Sequence, residues 1–371
     1  MEFLLDPSVR HLNHGSYGAA PREVLAEQDR WRAIMEGRPM TFFGDALMDA
    51  LEAAIAPCAE LVGALAKDVV FVRNATTATN AVVASEELGP GVDVVTTNHR
   101  YDAVRDTLAR AAERTGARIV TAQVPFPLER PEQITAAVVG AFTDRTRLLC
   151  IDQITSPTAI VFPVADIARE AHARGIRVAV DGAHVPGQIA VDVPSLGVDY
   201  WTGNLHKWSF AAKGTAILWV APERQAFTRP AITSYTTMRS FKEGFHWVGT
   251  DDSTGWLAAP VAVRLTRERM AERIARNHSL VQRGRELIAR RVGTALPHPD
   301  DPRLYGSIAT IELPGRPGTH EQIRRRLSQE FRIDTMPLTW GDRLWIRLSG
   351  QVYNDPSDYE ALAEALPAVL D

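Results

Sequence analysis

Between residues 69 and 220 the chain alternates short apolar runs with stretches of helical spacing, and this alternation constrains the fold more than any other feature. The runs are VVFV (69–72), VDVVT (92–96), RIVTA (118–122), RLLCID (147–152), IRVAVD (176–181) and GTAILWV (214–220); helix-patterned segments separate them near 101–115, 131–142 and 164–174. Strands that are apolar along their whole length must be covered on both faces. The pattern therefore predicts a largely parallel sheet sandwiched by helices, an α/β architecture. Helical spacing also marks 22–36 and 45–63. After about residue 253 the character changes: a long amphipathic stretch runs to about 293, followed by GSIATIEL, a helical segment from 319 and RLWIRLS, which predicts a smaller α+β unit. With 371 residues the chain exceeds one typical core. The expected organisation is an N-terminal segment (1–20) contributing to the active site and the small domain, a large α/β domain (21–252) and a smaller C-terminal α+β domain (253–371).

Charge and termini exclude several classes of partner. With 41 basic against 45 acidic residues and no basic stripe interleaved with aromatics, nothing points to nucleic acid. No apolar run is long enough to span a membrane, and the start MEFLLDPSVRHLNHG carries acids instead of a basic leader, so a cytoplasmic location is expected. The two cysteines, Cys58 and Cys150, form no CxxC pair and no metal-type cluster; both read as small buried apolar residues, and no metal is expected.

Three motifs carry the chemistry. In VAVDGAH (178–184) a buried strand ends in Asp181, at the carboxyl end of the sheet where open α/β folds bind ligands; alone, Asp181 reads first as the cap of an Asp-Gly turn. In NATTATN (74–80) a strand feeds small and hydroxyl residues into a helix start, which offers N–H groups and a helix dipole to a phosphate, or simply caps the helix. In GNLHKWS (203–209) Lys207 sits in apolar company, either snorkelling or held as an amine of lowered pKa. Together they suit one cofactor, pyridoxal 5'-phosphate (PLP), which needs a lysine for its aldehyde, an acid for its pyridine nitrogen and a helix N-terminus for its phosphate. A fourth element, RLWIRLSGQVYND, puts Arg347 at a strand end where a guanidinium could hold a substrate α-carboxylate; on its own it reads as a surface arginine on an edge strand.

LNHGSYG (12–18), RNATTATN (73–80), NHRYDA (98–103), ITSPTA (154–159), VDGAHVPG (180–187), YWTGNLHKW (200–208), WVGTDD (247–252) and IRLSGQVYN (346–354) resemble, in order and spacing, the class V aminotransferase family of fold-type I PLP enzymes, and within it the isopenicillin N epimerase-like branch. The resemblance covers essentially the whole chain. It implies a fold-type I architecture with Lys207 as the Schiff-base lysine, Asp181 as partner of the pyridine nitrogen and His184 beside the ring oxygen. It further implies a phosphate cup of Ala75, Thr76, Thr77, Asn204 and His206, completed by Thr250 from the other protomer of a homodimer. Tyr101 matches the ring that stacks on the cofactor, with His99 the fallback; Asn13, His14 and Arg347 match the substrate end.

The resemblance implies removal of a Cα proton from an amino-acid substrate, but three fates then stay open. Epimerisation needs a second acid, Tyr101 or His99; β-elimination from an S-substituted cysteine needs Lys207 alone; transamination needs a keto acid acceptor. Epimerisation is slightly favoured. The stretch FRIDTMPLTWGDRLW before the carboxylate-binding arginine has no cysteine, which disfavours a persulfide-forming desulfurase, and the filled chemical positions disfavour a non-catalytic scaffold.

Overall fold

A computed structural model describes residues 1–370 of the chain. Its strands in chain order are β1 (Arg10–His11), β2 (Val69–Val72), β3 (Asp93–Thr97), β4 (Arg118–Ala122), β5 (Thr146–Asp152), β6 (Arg177–Asp181), β7 (Tyr200–Asn204), β8 (Ala216–Val220), β9 (Ile308–Leu313), β10 (Ile333–Asp334), β11 (Met336–Trp340) and β12 (Arg343–Ser349). Seven of them form one sheet in the order β2-β8-β7-β6-β5-β3-β4. Every pairing from β7 through β4 is parallel, and β8 alone runs against both its neighbours. The fold is α/β and mostly parallel, as the alternation predicts.

The single reversal has a local cause. Only eleven residues separate the end of β7 from the start of β8, too few for a helical crossover, so the chain returns as an antiparallel pair, with Asn204 opposite Ala216. Lys207 therefore lies in a loop pinned at both ends. The β7 run YWTGN is wholly buried, although Gly203 and the polar Thr202 and Asn204 weaken its apolar pattern.

In the second sheet β12 lies centrally, between β11 and β9, and both pairings are antiparallel. Arg347 is thus mid-strand and 2% exposed, neither at a strand end nor on an edge. The long amphipathic stretch divides into Thr254–Leu257, Ala259–Arg267 and Met270–Val292, the last break falling at Arg269, whose φ of 52° is left-handed. The terminal helix Pro356–Leu370 packs against Met270–Val292, where Gly284 admits the Tyr359 ring at close range.

The first 20 residues tie the two sheets together. β1 pairs in parallel with β10, the Ser349 N–H donates to the Leu12 carbonyl at 2.9 Å, and the chain then crosses the lysine loop at Gly18, where a Cβ would strike the Lys207 carbonyl. No helix among the described residues is long and apolar enough to cross a membrane.

Replacing Gly284 by alanine places a Cβ inside the volume of the buried Tyr359 ring and is expected to destabilise the protein by about 1–3 kcal/mol. A urea midpoint unchanged from that of the parent chain would show that the two helices can separate at no cost.

Candidate active site

The parallel strands β5, β6 and β7 end side by side with Asp152, Asp181 and Asn204, while β2 leads into the helix Ala75–Ser85. Ligands of open α/β sheets bind at such carboxyl ends. A cavity of about 400 Å³ opens there, and its walls include Thr76, Asp181, His184, Asn204, Lys207 and Arg347.

Lys207 is half-buried and faces this cavity, with Nζ 3.0 Å from His184 Nε2. The Trp208 indole N–H donates to His184 Nδ1 at 3.4 Å. Burial holds the His184 pKa well below its usual value, so the ring is neutral and, with Nδ1 accepting, carries its proton on Nε2. That N–H is satisfied only when the lysine is a free amine. Desolvation first and the Arg347 charge second, opposed by Asp181 and Asp152, lower the Lys207 pKa to about 8. Asp181 accepts from the Ala183 N–H at 2.9 Å, and burial raises its pKa against the effect of that bond and of Lys207.

Asp152 is the Cα partner of Asp181 on the adjacent parallel strand, so both side chains leave the same face of the sheet from strands about 4.8 Å apart. Burial and the Asp181 charge raise the Asp152 pKa well above the usual carboxylate range. Asp152 is therefore the harder of the two to ionise.

At the helix start, Asn74 Oδ1 accepts from the Thr77 N–H at 2.8 Å and from its hydroxyl at 3.1 Å. Asn204 Oδ1 accepts from the Ala75 N–H at 2.9 Å, which turns the Asn204 amide NH₂ away from that bond. The Thr76 N–H lies in the first helical turn, where no intrahelical acceptor exists. His206 Nδ1 lies 2.8 Å from the Thr215 carbonyl, leaving Nε2 without that partner, and burial lowers its pKa to about 4. Thr76, Asn204 and His206 all line the cavity. The Thr77 hydroxyl is instead spent on the cap.

Arg347 donates to the Ser156 carbonyl at 2.6 Å, to Ser156 Oγ at 3.1 Å, to Ser16 Oγ at 2.5 Å and to Asn13 Oδ1 at 3.4 Å. Burial lowers its pKa to about 10, so it stays charged at neutral pH. A carboxylate arriving there exchanges with the Ser16 and Asn13 contacts instead of meeting a bare fork. The Tyr101 ring is 45% exposed and stands at the cavity mouth.

Two expected members, His99 and His14, lie elsewhere. His99 is completely buried: its nitrogens lie 2.6 Å from Thr158 Oγ1 and 3.1 Å from the Val124 carbonyl, and its ring packs on Trp340, so it can serve neither as stacking ring nor as acid. His14 is equally buried behind the lysine loop, 3.0 Å from the Lys207 carbonyl and 2.7 Å from Tyr353 Oη, and it holds the lysine backbone instead of lining the substrate end. Thr250 is exposed and outside the cavity. Sequence reasoning misses Asp152, Ser16, Tyr17 and Ser156, although they lie within RLLCID, LNHGSYG and ITSPTA; the sequence signal for Asp152 is that RLLCID, like IRVAVD, ends in an aspartate.

PLP fits these residues. The open N–H of Thr76 and the side chains of Asn204 and His206 suit its phosphate, the Asp181 carboxylate its ring nitrogen, and the desolvated amine of Lys207 its aldehyde.

Comparison with known proteins supports this fit. The family model described as Aminotransferase class-V matches residues 20–333. The chain is 32% identical to isopenicillin N epimerase of Streptomyces clavuligerus over 99% of this chain and 96% of that protein. It is 28% identical to L-cysteine desulfhydrase of Arabidopsis thaliana over 98% of this chain and 88% of that protein. In fold it resembles the cysteine desulfurase CsdA of Escherichia coli, with a TM-score of 0.81 at 21% identity over 100% of this chain and 96% of that one. It also resembles the cystine C-S lyase C-DES, seen in complex with cysteine persulfide, with a TM-score of 0.81 at 19% identity over 97% of each chain.

A lysine amine attacks an aldehyde only when unprotonated. With the Lys207 pKa lowered from 10.5 to about 8, covalent uptake of PLP by the cofactor-free protein is expected to accelerate as pH rises through about 8 and then level off. Stopped-flow absorbance across pH 6–11 checks this; a midpoint near 10.5 would mean that the amine is solvated.

Proposed function

The chain belongs to the class V aminotransferase family of PLP-dependent enzymes, and on that premise we propose that Lys207 removes the Cα proton of an amino-acid substrate, with epimerisation as the favoured outcome. The observation that carries this reading is the Lys207 amine itself: held against a neutral His184, it is a base near physiological pH. PLP, when bound, supplies an electron sink for the charge left on Cα. Asp181 holds a proton at the ring nitrogen, Arg347 grips the α-carboxylate, and the two together orient the Cα–H bond toward Lys207. Asn204, Thr76 and His206 bind the phosphate. Tyr101 covers the ring face at the mouth.

One observation favours a second reading, β-elimination by a C–S lyase. Epimerisation needs an acid on the face opposite Lys207, and His99 is withdrawn behind Trp340, which leaves only Tyr101 of the two expected candidates. Elimination needs no second acid at Cα. Persulfide chemistry is disfavoured further: both Cys58 and Cys150 are buried, burial pushes their thiols up in pKa, and neither lines the cavity. The exposed Thr250 supports the further reading that two copies pair, each lending this residue to the phosphate end of the other's site, in a cytoplasmic homodimer.

Proton NMR in deuterated water, with PLP and a panel of amino acids and S-substituted cysteines, tests the reaction. Loss of the Cα signal with growth of the opposite enantiomer is the expected result; pyruvate with a released thiol establishes the lyase, and no Cα exchange on any substrate rejects both. Lys207→Ala is expected to abolish exchange and the borohydride-reducible absorbance together, and retention of either would remove the lysine from its assigned role. Arg347→Ala deletes a desolvated charge contact of about 2–5 kcal/mol, so KM should rise at least about 30-fold. Unchanged KM and kcat would relegate that arginine to structural support.

A further inference from the structure

Beside the lysine cavity lies a second chamber of about 800 Å³, and the two share Ser16, Tyr17, Tyr101, Ser156 and Met336 as a common wall. The charged groups of the outer chamber are largely neutralised within it. Arg105 pairs with Asp102 at 2.6 Å and with Asp106 at 3.0 Å, and Arg324 pairs with Glu321 at 2.9 Å. Arg100 is different. Among the described residues no carboxylate reaches ion-pair distance of it; it donates to the Thr97 carbonyl at 2.7 Å, and its Nε is buried without a partner. Its surroundings are mixed: Asp152 and Asp102 attract its charge and Arg105 repels it. An arginine kept without a carboxylate on the wall of a large cavity is an anion receptor by its donor geometry.

The chamber adjoins the α-carboxylate site at Arg347, so a group lodged there is the far end of the substrate. A side chain as short as that of cysteine, held at Lys207 and Arg347, ends inside the inner cavity. We propose that Arg100 receives an anionic group at the end of an extended substrate side chain, so that the enzyme acts on amino acids carrying a second, distal carboxylate. The inference rests on the reading of the inner cavity as the place where the Cα proton is removed. It applies equally to an epimerase and to a C–S lyase.

A matched pair of compounds isolates the charge: S-(2-carboxyethyl)cysteine and its terminal amide, equal in length and differing in one ionised group. The parent enzyme is expected to prefer the carboxylate by about 10- to 100-fold in kcat/KM. In Arg100→Ala the ratio should fall to about one, mainly through KM, and Arg100→Lys should restore part of it. Because the ratio is taken on one protein, a loss of folded fraction cancels. Calorimetric Kd values for the 2-methyl forms of the same pair, which have no Cα proton to lose, should show the same preference and the same collapse. A ratio near one in the parent enzyme, or a preference that survives Arg100→Ala, overturns the proposal. If cysteine exchanges its Cα proton while the ratio is one, the Cα chemistry stands and only the distal site fails; if no compound exchanges, both fall.

Discussion

A lysine amine kept short of water beside a buried guanidinium is the constraint that the rest of the site serves. Two cations so placed repel, and burying either one is costly without compensation. Compensation comes from the β6 carboxyl Asp181, not from a direct ion pair, so the lysine is never locked as an ammonium. Its neighbour Asp152 is harder to ionise and opposes the lowering less than Asp181 does. A closer carboxylate would raise the lysine's pKa and remove its use as a base. Opening the cavity to solvent would do the same.

This balance depends on segments far apart in sequence. The lysine sits in the β7–β8 hairpin loop, the guanidinium comes from the centre of the small sheet, and residues 10–18 stitch the two together. His14 and Gly18 do so at the Lys207 carbonyl itself, one by a hydrogen bond and the other by having no side chain. The N-terminal segment is therefore part of the site's wall and part of the joint between sheets.

Much of this was legible from residue order. β-branched apolar runs announce strands of a covered parallel sheet, and Asp181, Lys207 and Arg347 announce themselves as polar residues at the ends of, or inside, apolar runs. What stayed hidden depends on three-dimensional pairing. Asp152 ends a strand just as Asp181 does, but only parallel register reveals that they are neighbours. His99 and Tyr101, two residues apart, part company because the first packs its ring on Trp340 while the second stands with extended backbone just before the helix Asp102–Thr115. The β11 strand is hard to read from sequence because Pro337 and the hydroxyl of Thr339 blur its alternation, and only its hairpin with β12 makes it regular.

The common wall between the two chambers separates residues drawn from different segments of the chain. Lys207, Asp181, Asn204 and Thr76 come from β2, β6, β7 and the segments that follow them. Arg100, Arg324 and Trp340 of the outer chamber come from other segments and bond instead to the Thr97 carbonyl, Glu321 and the Asn98 carbonyl. A substitution in the outer lining can therefore change which side chains fit without moving Lys207 or Asp181.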